Sequence, residues 1–244
     1  MQDKLYDDPG LATFYDLENG WSADTRFCRA LAEPADSVLD LGCGTGLLAA
    51  AIADGRTVWG VDPARAMLDI ARKRPGGSAV IWVEADARSV RLGRRFDLVM
   101  LTGHAFQCFL SDADQRALCE TISAHLSPGG TFIFDSRNPA REEWREWVPE
   151  LSRREFDHPA LGRIRAWNDV RMDDATGIVT YDSVYADDAG TIRKASSRIR
   201  FATREEIAAR IAEAGLSVER WLGSWDGATF EDNSPEIIAI GKLD

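Results

Sequence analysis

One short run, Val-Leu-Asp-Leu-Gly-Cys-Gly-Thr-Gly at Val38–Gly46, constrains the fold more than any other part of the chain. Apolar residues lead straight into three glycines, and a second apolar run, Leu47 to Ala53, follows. That pattern predicts a buried strand turning sharply into a helix. Glycine has no Cβ, so Gly42, Gly44 and Gly46 let the backbone bend and let a ligand approach the main chain. The first N–H groups of the following helix lack intrahelical partners and are expected to face whatever lies over the turn. A nucleotide-like ligand fits such a turn; a tight strand-to-helix corner with no ligand is the simpler alternative. The dinucleotide fingerprint G-x-G-x-x-G would place its third glycine where this chain has Leu47. Here the spacing is G-x-G-x-G, with Asp40 ahead of it.

The same alternation continues. Thr57–Val61 reads as a second strand ending at Asp62, with Pro63 placed for the first turn of a helix carrying Met67. Ala79–Val83 reads as a third strand running into Glu84 and Asp86, and Phe96–Leu101 as a fourth running into Thr102 and His104. A helix with an Asp112/Gln115 cap leads to Ser-Pro-Gly-Gly and a fifth strand, Thr131–Phe134, ending at Asp135. Strands alternating with helices predict a doubly wound, mostly parallel α/β sheet covered on both faces. In such sheets ligands bind beyond the carboxyl ends of the strands, where Asp40, Asp62, Asp86, His104 and Asp135 all fall.

After residue 136 the period changes to two. Arg163–Met172, Ile178–Tyr185 and Ile192–Phe201 alternate, which predicts an antiparallel insert of about three strands. Thr203 and Glu206 then form a capping box, and Leu216–Leu222 and Ile237–Ile240 read as closing strands. The expected organisation is an α/β core with an N-terminal helical segment over residues 1–136, the insert over 137–201, and a completing helix and strands over 202–244.

Composition narrows the partners. The chain has 244 residues, 45% of them apolar, and a formal net charge of −11. Such a surface repels a phosphate backbone and argues against a nucleic-acid substrate. Cysteines at 28, 43, 108 and 119 form no C-x-x-C pair, so no disulfide set or metal centre is expected. With no apolar leader and no run able to span a bilayer, the expected location is the cytoplasm, away from membranes.

Several residues carry candidate chemistry. The Asp62 carboxylate can accept both hydroxyls of a ribose, or simply cap the helix at Pro63. Asp86 can accept from an adenine amino group while the Ala87 N–H donates to a ring nitrogen; a solvated turn is the alternative. Of the three histidines, His104 alone ends a strand near the site, as a general base or a plain cofactor contact. Asp135, Arg137 and Asn138 could orient substrate, with Arg137 suited to a carboxylate or phosphate. Tyr181, Tyr185, Arg198 and Arg200 could line a pocket, whereas Trp144 and Trp147 read as core packing.

These motifs together resemble the class I S-adenosylmethionine (SAM)-dependent methyltransferases. The resemblance rests on Asp40–Gly46, the acid Asp62, Glu84–Ala87 and the His-Leu-Ser-Pro-Gly-Gly lead into the fifth strand. Asp62-Pro-Ala-Arg-Ala-Met-Leu68 is similar to the family's D-x-S-x-x-M-L, with Ala64 in place of serine. The resemblance implies a Rossmann-like seven-stranded sheet with its last strand antiparallel, and SAM as cofactor. It implies that Asp62 holds ribose, that Asp86 and Ala87 hold adenine, and that Asp40, Gly42, Cys43, Gly44, Pro63, Met67 and Thr102 line the cofactor site. The insert resembles that of sugar N,N-dimethyltransferases, where it forms a cap or a dimer surface, leaving a homodimer open. In those enzymes an N-terminal aromatic approaches the methionine end of SAM, which makes Tyr15 the candidate here. An aromatic face near a sulfonium contributes about 0.5–2 kcal/mol.

The expected activity is methyl transfer to an oxygen or nitrogen of a small molecule. No Asn/Asp-Pro-Pro-Tyr/Phe motif follows the fourth strand, which lowers the case for methylation of planar amines on bases. Two alternatives remain: a nicotinamide-dependent oxidoreductase, which Leu47 and the lack of a Tyr-x-x-x-Lys pair oppose, and a SAM-binding module without turnover.

Overall fold

A computed structural model describes residues 3–244; Met1 and Gln2, the first residues of the expected N-terminal segment, lie outside it. The polar stretch at the N-terminus forms three one-turn helices, α1 (Lys4–Asp7), α2 (Pro9–Ala12) and α3 (Tyr15–Glu18), ahead of α4 (Ala23–Leu31). Asp3 and Asp8 start the first two by accepting from the N–H groups of Leu5 and Gly10 at 2.9 and 2.8 Å.

The chain then alternates through β1 (Ser37–Leu41), α5 (Leu47–Ala51), β2 (Thr57–Asp62), α6 (Arg65–Ala71), β3 (Val80–Glu84), β4 (Phe96–Leu101), α7 (Asp112–His125) and β5 (Leu126–Arg137). A short helix, α8 (Pro149–Ser152), precedes β6 (Arg154–His158), β7 (Gly162–Asp173), β8 (Ile178–Asp187) and β9 (Ile192–Arg200). Finally α9 (Arg204–Glu213), β10 (Leu216–Leu222) and β11 (Glu236–Leu243) close the chain.

The main sheet has seven strands in the order β10-β11-β5-β4-β1-β2-β3. All pairs from β5 to β3 are parallel, and β11 runs antiparallel to both neighbours. The order reverses between β1 and β4, and the crevice beyond their carboxyl ends is where ligands bind in sheets of this kind. Reversal of β11 brings its amino end, Glu236, opposite Arg137 at the carboxyl end of β5. Two apolar cores flank the sheet: Leu39, Leu41, Phe96, Phe132 and Phe134 belong to one, and Val38, Leu98, Met100, Ile133 and Ile240 to the other.

The second sheet has four strands, β6-β7-β8-β9, one more than the alternation predicts. The missed strand is Arg-Glu-Phe-Asp-His, whose single large apolar residue gives too little alternation to read. The helix at residue 112 is capped by Ser111, which accepts from the Asp114 N–H at 3.1 Å, rather than by Asp112. Pro63 lies before helix α6 and is exposed, because the Asp62 carboxylate takes the Ala64 N–H and extends the turn by two residues. The Thr203/Glu206 capping box forms as expected. Among the described residues no helix is long and apolar enough to cross a membrane.

Candidate active site

The glycine turn is built as the sequence requires, but its donors are used differently. Gly42, Gly44 and Gly46 all adopt left-handed φ values of 67, 53 and 73°. The N–H groups of Gly42 and Cys43 donate to the Val61 carbonyl, that of Gly44 to Asp62, and that of Gly46 to the Cys43 carbonyl. Buried N–H groups must find partners, and this turn satisfies four of its own, so any open donors are those of the helix start at Leu47–Ala49 and not those of the glycine turn. Nor do the three glycines serve one purpose. A Cβ on Gly46 would come 2.4 Å from the Trp82 ring, so that glycine admits a tryptophan rather than a ligand. A Cβ on Gly44 would meet Tyr15 at an ordinary 3.8 Å.

Over this turn lies a cavity of about 640 Å³, a size suited to small molecules. Of the candidate residues, Tyr15, Gly42, Thr102, His104, Arg137, Tyr181 and Tyr185 line it. Tyr15 spans from Gly44 to Gly103, crossing the ends of β1 and β4. Asp40, Cys43, Gly44, Asp62, Pro63, Met67, Asp86 and Ala87 do not line this cavity. Asp40 and Cys43 are buried beneath the turn, with the Cys43 sulfur turned toward Gly60. Met67 packs under Ala12, Tyr6 and Tyr15. Asp86 is half-exposed and held by the Arg88 guanidinium, Nε to carboxylate 3.0 Å, and that pairing lowers its pKa; Ala87 sits in the core.

The far wall comes from the four-stranded sheet and the segment before it: Arg137, Trp147, Arg154, Asn168, Tyr181, Ser183, Tyr185 and Ile199. Trp144 packs against Phe201 in the core as expected, but Trp147 faces the cavity, with the Arg137 guanidinium 5.2 Å from its ring centre. Arg137 also bonds Glu143 and Gln107 at 3.1 and 3.0 Å. Three expected substrate contacts are used elsewhere. Asn138 is buried and donates to the Asp232 and Ser234 carbonyls, Arg200 pairs with Asp112 and Glu206, and Arg198 points to solvent. Sequence reasoning missed Tyr6, Glu18, Arg154 and Glu236, all on the cavity wall.

The electrostatics are one-sided. Burial, then Asp62, pushes the Asp40 carboxyl up to about 7. Burial likewise raises Asp62, against the pull of its two N–H donors, and lifts Asp135 to about 6. No Lys or Arg among the described residues pairs with any of these three. Desolvated acids without an internal cation suit a positively charged ligand beside them.

His104 sits in left-handed space at φ 61°, its backbone N–H bonded to the Asp135 carboxylate at 3.1 Å. Its Nε2 lies 3.0 Å from both oxygens of Glu236 and 3.4 Å from Asp135. Asp135 is fully buried behind His104 and does not reach the cavity. These three side chains place one ligand atom each within 4.8 Å of one another, a spacing a cation could use and one the cysteine count alone did not anticipate.

Comparison with known proteins fits this geometry. A family described as a methyltransferase domain matches residues 38–130. The cypemycin N-terminal methyltransferase of a Streptomyces species is 31% identical over 205 residues, covering 84% of this chain and 82% of that protein. The chain is a class I SAM-dependent methyltransferase. The methyltransferase also shares its fold with the SAM-bound amino pentose methyltransferase CalS10 of Micromonospora echinaspora, at a TM-score of 0.66 and 26% identity over 91% of this chain and 92% of that one. The CcbJ methyltransferase of Streptomyces caelestis superposes with a TM-score of 0.76 at 23% identity, covering 94% of this chain and 96% of that one. SAM is the cofactor of this methyltransferase.

Proposed function

We propose that this methyltransferase methylates the amino nitrogen of a small molecule held between the glycine turn and the four-stranded sheet. One observation carries the reading: the cavity wall combines Asp24 and Glu236 with the rings of Tyr6, Tyr15, Tyr181 and Trp147. Its two arginines are already matched, Arg137 to Glu143 and Arg154 to Glu18. Acids and aromatic faces together favour a cation over an anion. The names of the cypemycin N-terminal and amino pentose enzymes support nitrogen over oxygen.

Bound SAM supplies an activated methyl group, so the protein's task is alignment, which can contribute about 7–11 kcal/mol of the barrier. In this reading Tyr15, Gly42 and Thr102 border the methionine end of the cofactor, with Asp40 below the turn. Gly44 and Cys43 shape the turn itself. Asp62 takes the ribose, and Asp86 and Ala87 the adenine, with Pro63 and Met67 beside it. His104 accepts the proton that an ammonium must lose before its lone pair can react.

We assign residues 1–136 and 202–244 to the SAM-binding core and 137–201 to a cap over the acceptor. Four unpaired cysteines support a cytoplasmic location. The outer edge of β6 in the four-stranded sheet is where a second copy would pair. The test is incubation with methyl-labelled SAM and matched pairs of small amines and alcohols. Label transferred to amines alone supports the reading, and transfer to alcohols alone overturns it.

A further inference from the structure

We infer that Glu236 is a positioning residue that fixes the tautomer of His104 and leaves its Nδ1 as the proton acceptor. This rests on the reading of His104 as the base, but its main test does not. Glu236 opens β11, and only the reversal of that strand brings a residue so late in the chain to the carboxyl ends of β4 and β5. Its backbone N–H is anchored on the Gly223 carbonyl at 3.0 Å, and its carboxylate faces the cavity beside His104.

An ionised carboxylate can only accept, so the His104 nitrogen 3.0 Å from both Glu236 oxygens is the one that carries hydrogen. Nδ1 is then the bare nitrogen, and no bond to it is formed among the described residues. Asp135 fixes the other end of the residue by accepting the His104 backbone N–H. A left-handed φ of 61° in a non-glycine residue is strained, so the surrounding bonds must hold it there. The ring is thus pinned from β5 and β11 together, with Asp24 of α4 adding a third negative charge near Asp135.

The proton balance is simple. A substrate ammonium N–H bond breaks, its electron pair stays on nitrogen, and the proton moves to Nδ1. The imidazolium so formed lies between Glu236 at 3.0 Å and Asp135 at 3.4 Å, both able to stabilise it. The arrangement orients a histidine with a carboxylate on its far nitrogen, a device that sets tautomer and ring angle together.

Long-range nitrogen–proton NMR on 15N-labelled protein reads the tautomer directly, with no substrate present. The chain has three histidines, and His104→Gln assigns the resonance by its loss. We expect Nε2–H in the unaltered protein, a mixture of the two tautomers in Glu236→Ala, which removes the acceptor facing Nε2, and Nε2–H again in Glu236→Asp. With the amine found in the screen above, Glu236→Ala should lower kcat about 100-fold at unchanged SAM affinity, with partial recovery in Glu236→Asp.

An Nδ1–H tautomer in the unaltered protein overturns the inference, as does an unchanged tautomer in Glu236→Ala. Equal loss of SAM affinity and kcat would mark a merely structural residue. Turnover abolished by EDTA and restored by a divalent cation would hand the trio to a metal. The expected NMR pattern without any amine methylation would leave Glu236 in its role and sink the substrate reading alone.

Discussion

The phenolic hydroxyl of Tyr185 donates to the Glu18 carboxylate at 2.6 Å, joining β8 to the N-terminal segment across the cavity. The Arg154 guanidinium pairs with the same carboxylate, and the Tyr185 ring stacks on Phe14 with centroids 4.6 Å apart. Desolvation and the adjacent Glu18 charge hold the hydroxyl protonated. Tyr185→Phe keeps the stacked ring and removes one bond to a charged acceptor, worth about 1.5–3 kcal/mol. Thermal unfolding should drop by about 3–10 °C, and proteolysis of the first helices should quicken. An unchanged midpoint would show that Arg154 alone secures this seam.

The buried acids set a pH dependence with an unusual sign. Asp40 titrates near 7 and Asp135 near 6 in the folded chain, against 3.8 for an unperturbed aspartate. Both are raised, so between those limits the unfolded chain binds fewer protons than the folded one, and stability falls as pH rises. The acids with lowered pKa values, such as Asp86, Asp112 and Asp182, lose their contribution only near and below 3.8, outside this window, whereas His125, lowered from 6.5 by burial, opposes the two raised acids below about 6.5 as one group against two. The cofactor-free protein should therefore melt at higher temperature near pH ~5.5 than near pH ~8, and Asp40→Asn should flatten the difference. A cationic ligand lowers the same pKa values, so SAM should bind more tightly, and release protons, as pH rises through about 6 to 7. Calorimetry in buffers of different ionisation enthalpy measures that release. No proton release would remove the acids from the cofactor's surroundings.

What could be read in the sequence follows from how far apart the interacting residues lie. The parallel strands of the main sheet are mostly apolar runs with their own turn signals, so β1 to β5 stand out locally. Strand β6 is legible only through its partner: Phe156, the one apolar residue of β6, faces Ile164 of β7. Glu236 is one acid at a strand end, and nothing nearby distinguishes it from Glu231 or Glu219. Its place beside His104 arises from the antiparallel return of β11, a contact across 132 residues. Trp147 was legible only in part, since it packs on Phe201 as a Trp pair three residues apart predicts, while the cavity wall it also completes is built by β8. The one-turn helices at the amino end are too short to give a periodic signal and owe their existence to Asp caps and tertiary packing.

Two glycines of the turn should respond differently to alanine. Both Gly44 and Gly46 occupy left-handed space, which costs an alanine about 1–2 kcal/mol. Gly46→Ala adds a clash, because its Cβ would lie 2.4 Å from Trp82 and 2.9 Å from Ala71. Overpacking adds about 1–3 kcal/mol. Urea unfolding should rank Gly46→Ala below Gly44→Ala. Combined with Trp82→Ala, the Gly46 change should cost less than the sum of the two, since one removes the other's clash. Strict additivity would mean that Trp82 does not rest on the turn.

Asp62 joins the turn to the second strand, accepting from Gly44 N–H at 2.9 Å and Ala64 N–H at 2.8 Å. In the proposed site the same carboxylate holds the ribose of SAM. Asp62→Ala therefore has two effects, and they separate by measurement. Loss of the two backbone bonds lowers stability by about 1–3 kcal/mol, read from unfolding without ligand. Loss of the ribose contact weakens SAM binding about 10- to 100-fold, read by calorimetry on protein shown to be folded. Asp62→Asn retains an acceptor for one N–H while removing the charge, so it should recover part of the stability and less of the affinity. If the folded Asp62→Ala protein binds SAM as tightly as the unaltered chain, Asp62 is a turn residue alone and the ribose is held elsewhere.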